Sequence, residues 1–148
     1  MTFRIAGLCS ALAAAALAFW IGTFAAANLP GSRALLALFT PSLVAAVVGY
    51  LAGSAVWRRA ARSTERLITF SALAGSVSGG IVGATCGLTL TALYFATYMA
   101  WPAERVQQAL ALLSYPAFAL LGMCLGAMTG LILGVVAGSA LRIATIRR

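Results

Sequence analysis

Long apolar windows recur along the chain at about 5–27, 34–57, 67–100 and 107–141. Three short polar stretches separate them: Asn-Leu-Pro-Gly-Ser-Arg at 28–33, Arg-Arg-Ala-Ala-Arg-Ser-Thr-Glu-Arg at 58–66, and Trp-Pro-Ala-Glu-Arg-Val-Gln-Gln at 101–108. Each window exceeds the roughly 18 apolar residues that cross about 30 Å of hydrocarbon. The pattern therefore predicts an all-α integral membrane protein, a single domain over 1–148 with four transmembrane helices.

The last two windows would each run to roughly 50 Å as continuous helix, more than the bilayer requires. Part of the fourth is expected to lie flat. Over 104–113, Val106, Leu110 and Leu113 share one helical face, while Glu104, Gln107 and Gln108 lie elsewhere. That is the pattern of an interfacial amphipathic turn, with the crossing beginning at Pro116. Residues 33–39 read the same way, with Thr40 able to cap and Pro41 suited to a first helical position. The expected crossings are thus about 5–27, 41–57, 70–100 and 116–141.

Charge sets the expected orientation. Four crossings put Arg4, Arg58, Arg59, Arg62, Arg66, Arg142, Arg147 and Arg148 on one side, with Arg33 and Arg105 on the other. By the positive-inside rule both termini are cytoplasmic. Trp57 would mark the inner interface, and Tyr94, Phe95, Tyr98 and Trp101 the outer one, where amphipathic rings favour the headgroup level. The inner loop, through Arg58, Arg59, Arg62 and Arg66, is expected to rest against anionic lipid headgroups, each Arg contributing on the order of 1 kcal/mol. The first window is longer than a signal-peptide core, so Ala25-Ala26-Ala27 is read as part of an anchor and not as a cleavage site. Ten Arg and no Lys suit a bacterial inner membrane with a GC-rich genome.

The two halves of the chain resemble each other. Pro30-Gly31-Ser32-Arg33 matches Pro102-Ala103-Glu104-Arg105, and Gly-Tyr-Leu-Ala-Gly-Ser-Ala at 49–55 matches Gly-Val-Val-Ala-Gly-Ser-Ala at 134–140. Both copies would enter the membrane from the same side, which predicts two tandem parallel helical-hairpin repeats.

Small residues recur every four positions. Gly75, Gly79, Gly83 and Gly87 do so in the third span, and Gly122, Gly126, Gly130, Gly134 and Gly138 in the fourth. Gly49 and Gly53, extended by Ala45, form a shorter series in the second span, and Ala14, Ala18, Gly22 and Ala26 one in the first. Positions four apart share a helix face, so each ladder is a groove where another backbone can approach closely. Glycine is about 1 kcal/mol worse than Ala in a helix, so these ladders mark packing surfaces of the glycine-zipper kind. Consecutive spans are antiparallel neighbours, and the expected pairing sets Gly75 near Gly138 and Gly87 near Gly126. Part of the fourth ladder is then left for a helix of another copy or another protein.

Beside the third-span ladder, Ser71, Ser78, Thr85 and Thr89 share a face. Such a row either lines a water-filled path or bonds back to its own helix. Chemistry is scarce elsewhere: the chain is 63% hydrophobic and 8% charged, with no His, Asp or Lys and only Glu65 and Glu104 as acids. Both acids fall in loops, so no ionisable group sits at mid-bilayer, where a proton-coupled carrier needs one. Cys9, Cys86 and Cys124 lie singly within apolar runs and read as small buried hydrophobes. No catalytic residue, metal site or cofactor is expected, and a short basic loop without interleaved aromatics gives no nucleic-acid site. The expected function is a non-enzymatic inner-membrane subunit or scaffold, packing by glycine faces with itself or with larger membrane proteins. The alternative is a small homo-oligomeric channel or uncoupled transporter using the Ser/Thr face.

Overall fold

The computed structural model describes residues 3–27, 29, 31–62, 66–98 and 105–146. Pro30, Glu65, Trp101, Pro102, Ala103, Glu104, Arg147 and Arg148 lie outside them. Four helices make up the described chain: α1 (Phe3–Ala26), α2 (Gly31–Arg62), α3 (Leu67–Tyr98) and α4 (Arg105–Ile146). All four are long and apolar enough to span a membrane, as the hydrophobic windows predicted. A helix satisfies its own backbone hydrogen bonds, which an apolar surrounding demands.

Each helix runs antiparallel to the one before it, and extensive contact is confined to consecutive helices. The α3–α4 contact is the largest, α1–α2 the next and α2–α3 the smallest. The molecule is thus two tight hairpins joined along one lighter seam. At one end of the seam an Arg33 guanidinium nitrogen on α2 donates to the Thr97 hydroxyl on α3 at 3.0 Å, and that hydroxyl donates to the Leu93 carbonyl at 2.7 Å. The same end holds the aromatics of the second hairpin, with Phe95 stacked on Tyr115 at 5.6 Å. The α1–α2 turn closes through bonds from the Ala27 and Leu29 amides to the Thr23 and Ala26 carbonyls. Gly31 then opens α2 at φ +49°, a left-handed conformation that glycine adopts without a Cβ penalty.

The interfacial pieces differ from expectation. Residues 33–39 are the first turns of α2, and α4 is helical from Arg105 onward, so neither piece is a separate element. Pro41 and Pro116 lie inside helices and do not begin them. Proline lacks an N–H, so Pro41 leaves the Ala37 carbonyl without its usual donor. That oxygen faces α1, 3.4 Å from where a Cβ on Gly22 would stand. Packing against a bare Cα accommodates the interruption without breaking the helix.

The buried positions are small. Ala18, Ala26, Ala37 and Ala45 are buried, with Pro41 and Leu67 the largest side chains fully enclosed. Large apolar side chains point outward, as at Leu12, Leu43, Leu125 and Met128. This inversion of a soluble core is what lipid permits, because it offers no hydrophobic drive to bury a Leu.

Candidate functional site

The glycines of α3 and α4 meet backbone to backbone. A Cβ added to Gly75 would overlap the Gly130 carbonyl oxygen, one on Gly79 that of Gly126, and one on Gly83 that of Gly122. The relation is reciprocal: Cβ atoms on Gly130, Gly126 and Gly122 would overlap the carbonyl oxygens of Gly75, Gly79 and Gly83. Gly87 is set against the Phe118 carbonyl, and Gly134 against that of Ser71. A Cβ takes the place of one Cα hydrogen, so each of these glycines points a C–H at a carbonyl across the interface. Such contacts contribute about 0.5–1 kcal/mol each.

This register departs from the expected one. Gly75 faces Gly130 instead of Gly138, and Gly87 faces Phe118 and Ala119 instead of Gly126. The shift is eight positions along α4, about 12 Å at 1.5 Å per residue. It has the same origin as the interfacial piece, since α4 is helical from Arg105, well before Pro116. Gly138 lies instead over Ser71 and Ile68. All five glycines of α4 therefore face α3 of the same chain.

In the first hairpin, Gly49 lies against Ala14, the Ser10 carbonyl and the Ala11 Cα, and Gly53 against the Ser10 side chain. Gly7 sits under the Tyr50 ring and Gly22 against Leu38. Phe19 and Phe39 meet edge to face at 6.1 Å.

Setting the hairpins side by side identifies residues that the sequence reading missed. Ser10-Ala11-Leu12-Ala13 in α1 is repeated as Ser71-Ala72-Leu73-Ala74 in α3. Gly49 faces the Ser10 carbonyl and the Ala11 Cα, and Gly134 the Ser71 carbonyl and the Ala72 Cα. Gly53 faces the Ser10 side chain and Gly138 the Ser71 side chain. The tetrapeptide identity was visible in the sequence; its significance depends on knowing what it packs against.

Three hydroxyls of the predicted row, those of Ser71, Ser78 and Thr85, turn inward on their own helix. Ser71 donates to the Ile68 carbonyl at 3.0 Å, Ser78 to Gly75 at 3.0 Å and Thr85 to Ile81 at 2.9 Å. Ser71 is buried under Gly134 and Gly138, while Ser78, Thr85 and Thr89 are half-buried. Thr91, Thr129 and Ser139 make the same intrahelical bond, which satisfies a hydroxyl in an apolar setting. Cys9 and Cys124 are exposed and Cys86 half-buried, and none is in a disulfide.

A hollow of about 270 Å³ lies between the end of α2 and the first turn of α3, bounded by Ala55, Arg58, Arg59, Arg62 and Phe70. Arg66, at φ +56°, leads into α3, and its carbonyl accepts from the Phe70 amide at 2.9 Å. Arg59 and Arg62 occupy the last turn of α2, where cations offset the partial negative charge of a helix C-terminus. No protein-family model matches the chain, and neither a curated protein nor a solved structure shows significant similarity to it.

Proposed function

We propose that the chain is a non-catalytic scaffold subunit of the bacterial inner membrane, built from two tandem copies of a glycine-zippered helical hairpin. The observation that carries this reading is the use of the small-residue faces. The ladders of α3 and α4 face each other along their whole length, and Gly49 and Gly53 face α1. What remains outward is large and apolar on every helix, as at Leu12 and Phe24 on α1, Leu43 on α2, Leu73 on α3 and Leu125, Met128 and Ile132 on α4. Helices α1 and α4 end the row, each with one extensive neighbour, and association with a further copy or a larger membrane protein is assigned to them on that ground. Without a hydrophobic drive between helices in lipid, rigid pre-assembled faces favour association by limiting the entropy lost on docking.

The duplication is supported by the repeated Ser-Ala-Leu-Ala segment and by the matched glycines that pack on it. Orientation follows the Arg asymmetry, with both termini and the 58–66 loop cytoplasmic. Hydroxyls bonded to their own carbonyls favour packing over conduction.

The test is purification from cross-linked membranes in mild detergent. The expected product is an oligomer or a stoichiometric complex. A Leu125→Ala/Ile132→Ala variant should release the partner while the chain stays folded. A wild-type chain that is monomeric both in native membranes and after purification, with nothing cross-linked to it, refutes the proposal.

A further inference from the structure

Three guanidinium groups border one hollow at the loop end of the seam, and they are held differently. Arg58 is tethered, its Nε donating to the Ser54 carbonyl at 3.3 Å. Arg59 and Arg62 are exposed and form no hydrogen bond or ion pair with another described residue. The rest of the wall is apolar: Ala55 from α2 and Phe70 from the first turn of α3. A cationic mouth over an apolar wall, at the end of two membrane-spanning helices, suits a ligand that is itself anionic at one end and apolar at the other.

We propose that this hollow binds the phosphate of an anionic phospholipid, with Arg59 and Arg62 gripping the headgroup and Ala55 and Phe70 lying against the first carbons below it. Guanidinium groups present paired N–H donors that match phosphate oxygens two at a time, a geometry that ammonium cannot reproduce. The volume fits a headgroup, lying below the roughly 300–1,000 Å³ of drug-sized pockets. The first turn of α3 adds the partial positive charge of a helix N-terminus. Diffuse attraction of a basic loop to an anionic surface needs only charge; a site needs these particular donors on this wall, and the two ideas give different results.

The experiment uses the full chain in a non-ionic detergent, with bound lipid counted by native mass spectrometry and unfolding followed by heating. Phosphatidylglycerol should bind at one molecule per chain and raise the unfolding temperature saturably, while phosphatidylcholine with the same acyl chains should do neither. Inorganic phosphate tests the same oxygens without the apolar part, and it should stabilise far less. The Arg59→Lys/Arg62→Lys variant keeps the charge, and with it the basis of insertion and topology, but loses the paired donors. It should bind phosphatidylglycerol about tenfold more weakly, given the strength of bidentate over point-charge contacts. Arg142→Lys, outside the hollow, should bind as the wild type does. Undiminished binding by the double Lys variant, equal stabilisation by phosphatidylcholine, or binding without saturation would each overturn the site. Stabilisation by inorganic phosphate matching that of the lipid would overturn the lipid assignment.

Discussion

Adjacent glycines of α3 should respond oppositely to one added methyl group. At Gly79 a Cβ would overlap the Gly126 carbonyl oxygen and stand 2.9 Å from its carbon and 3.1 Å from the Gly130 Cα. All three are backbone atoms of a helix, with no rotamer to escape into, so the helices must part by on the order of an ångström. A gap of 0.5–1 Å already forfeits about a quarter to a half of the dispersion energy. Because helices are stiff, the neighbouring pairs open as well. Eight glycines of the two ladders aim a Cα hydrogen at a facing carbonyl, which at about 0.5–1 kcal/mol each gives roughly 4–8 kcal/mol for the interface. Losing about half of it puts Gly79→Ala at roughly 2–4 kcal/mol of destabilisation.

At Gly80 the same methyl group would meet the Met123 Cγ at 3.5 Å, the Ala127 Cβ at 3.7 Å and the Met123 carbonyl oxygen at 3.7 Å, all ordinary contacts. Gly80→Ala should therefore be neutral or, through helix propensity, more stable by up to about 1 kcal/mol. Both variants insert equally, because Ala is no less hydrophobic than Gly. Titration with a denaturing detergent, followed by circular dichroism, compares them directly. Equal effects at 79 and 80 would refute the backbone-to-backbone contact, and with it the assignment of the ladders to intramolecular packing.

Three further outcomes are expected. In the first hairpin, Gly53→Ala collides with the Ser10 side chain, so adding Ser10→Gly should restore stability; in the second, Ser71→Gly should rescue Gly138→Ala only in part, because the Ile68 Cα still stands 3.0 Å from the new methyl group. With Cys9, Cys86 and Cys124 replaced by Ala, Ser32→Cys should react with an impermeant thiol reagent in intact cells and Ser63→Cys should not; the reverse result inverts the topology. Ser78→Ala and Thr85→Val should leave the ion and solute permeability of reconstituted vesicles unchanged, since these hydroxyls serve the Gly75 and Ile81 carbonyls, and a changed flux would favour a conducting role.

The four crossings were legible because hydrophobic length is a property of each segment alone. A spacing of four likewise marks one face whatever lies opposite, and the glycines of both ladders lie on the faces that α3 and α4 turn to each other. Register was not. A series of glycines four apart matches itself after any slide of one or two steps, so Gly75 against Gly130, Gly134 or Gly138 reads alike in sequence. Turn geometry breaks this degeneracy, and the amphipathic pattern of 104–113 misled by suggesting a helix start at Pro116 when α4 is one helix from Arg105.

A second register mark lies within the ladders themselves. At one end the glycine repeat of α3 gives way to Ser71, whose side chain needs a facing position without a Cβ, and Gly138 supplies it. Ser10 makes the same demand of Gly53 in the other hairpin. Sliding α4 by one step toward the expected register would carry Gly138 away from Ser71 and bring Leu141 or Arg142 toward the serine's side of the groove, where a backbone-width gap has no room for either. The serine therefore works as a stop: glycines allow the helices to approach, and the one side chain that interrupts the series fixes where along their length they do so. A periodic face can specify affinity alone, and specificity of register has to come from the residue that breaks the period.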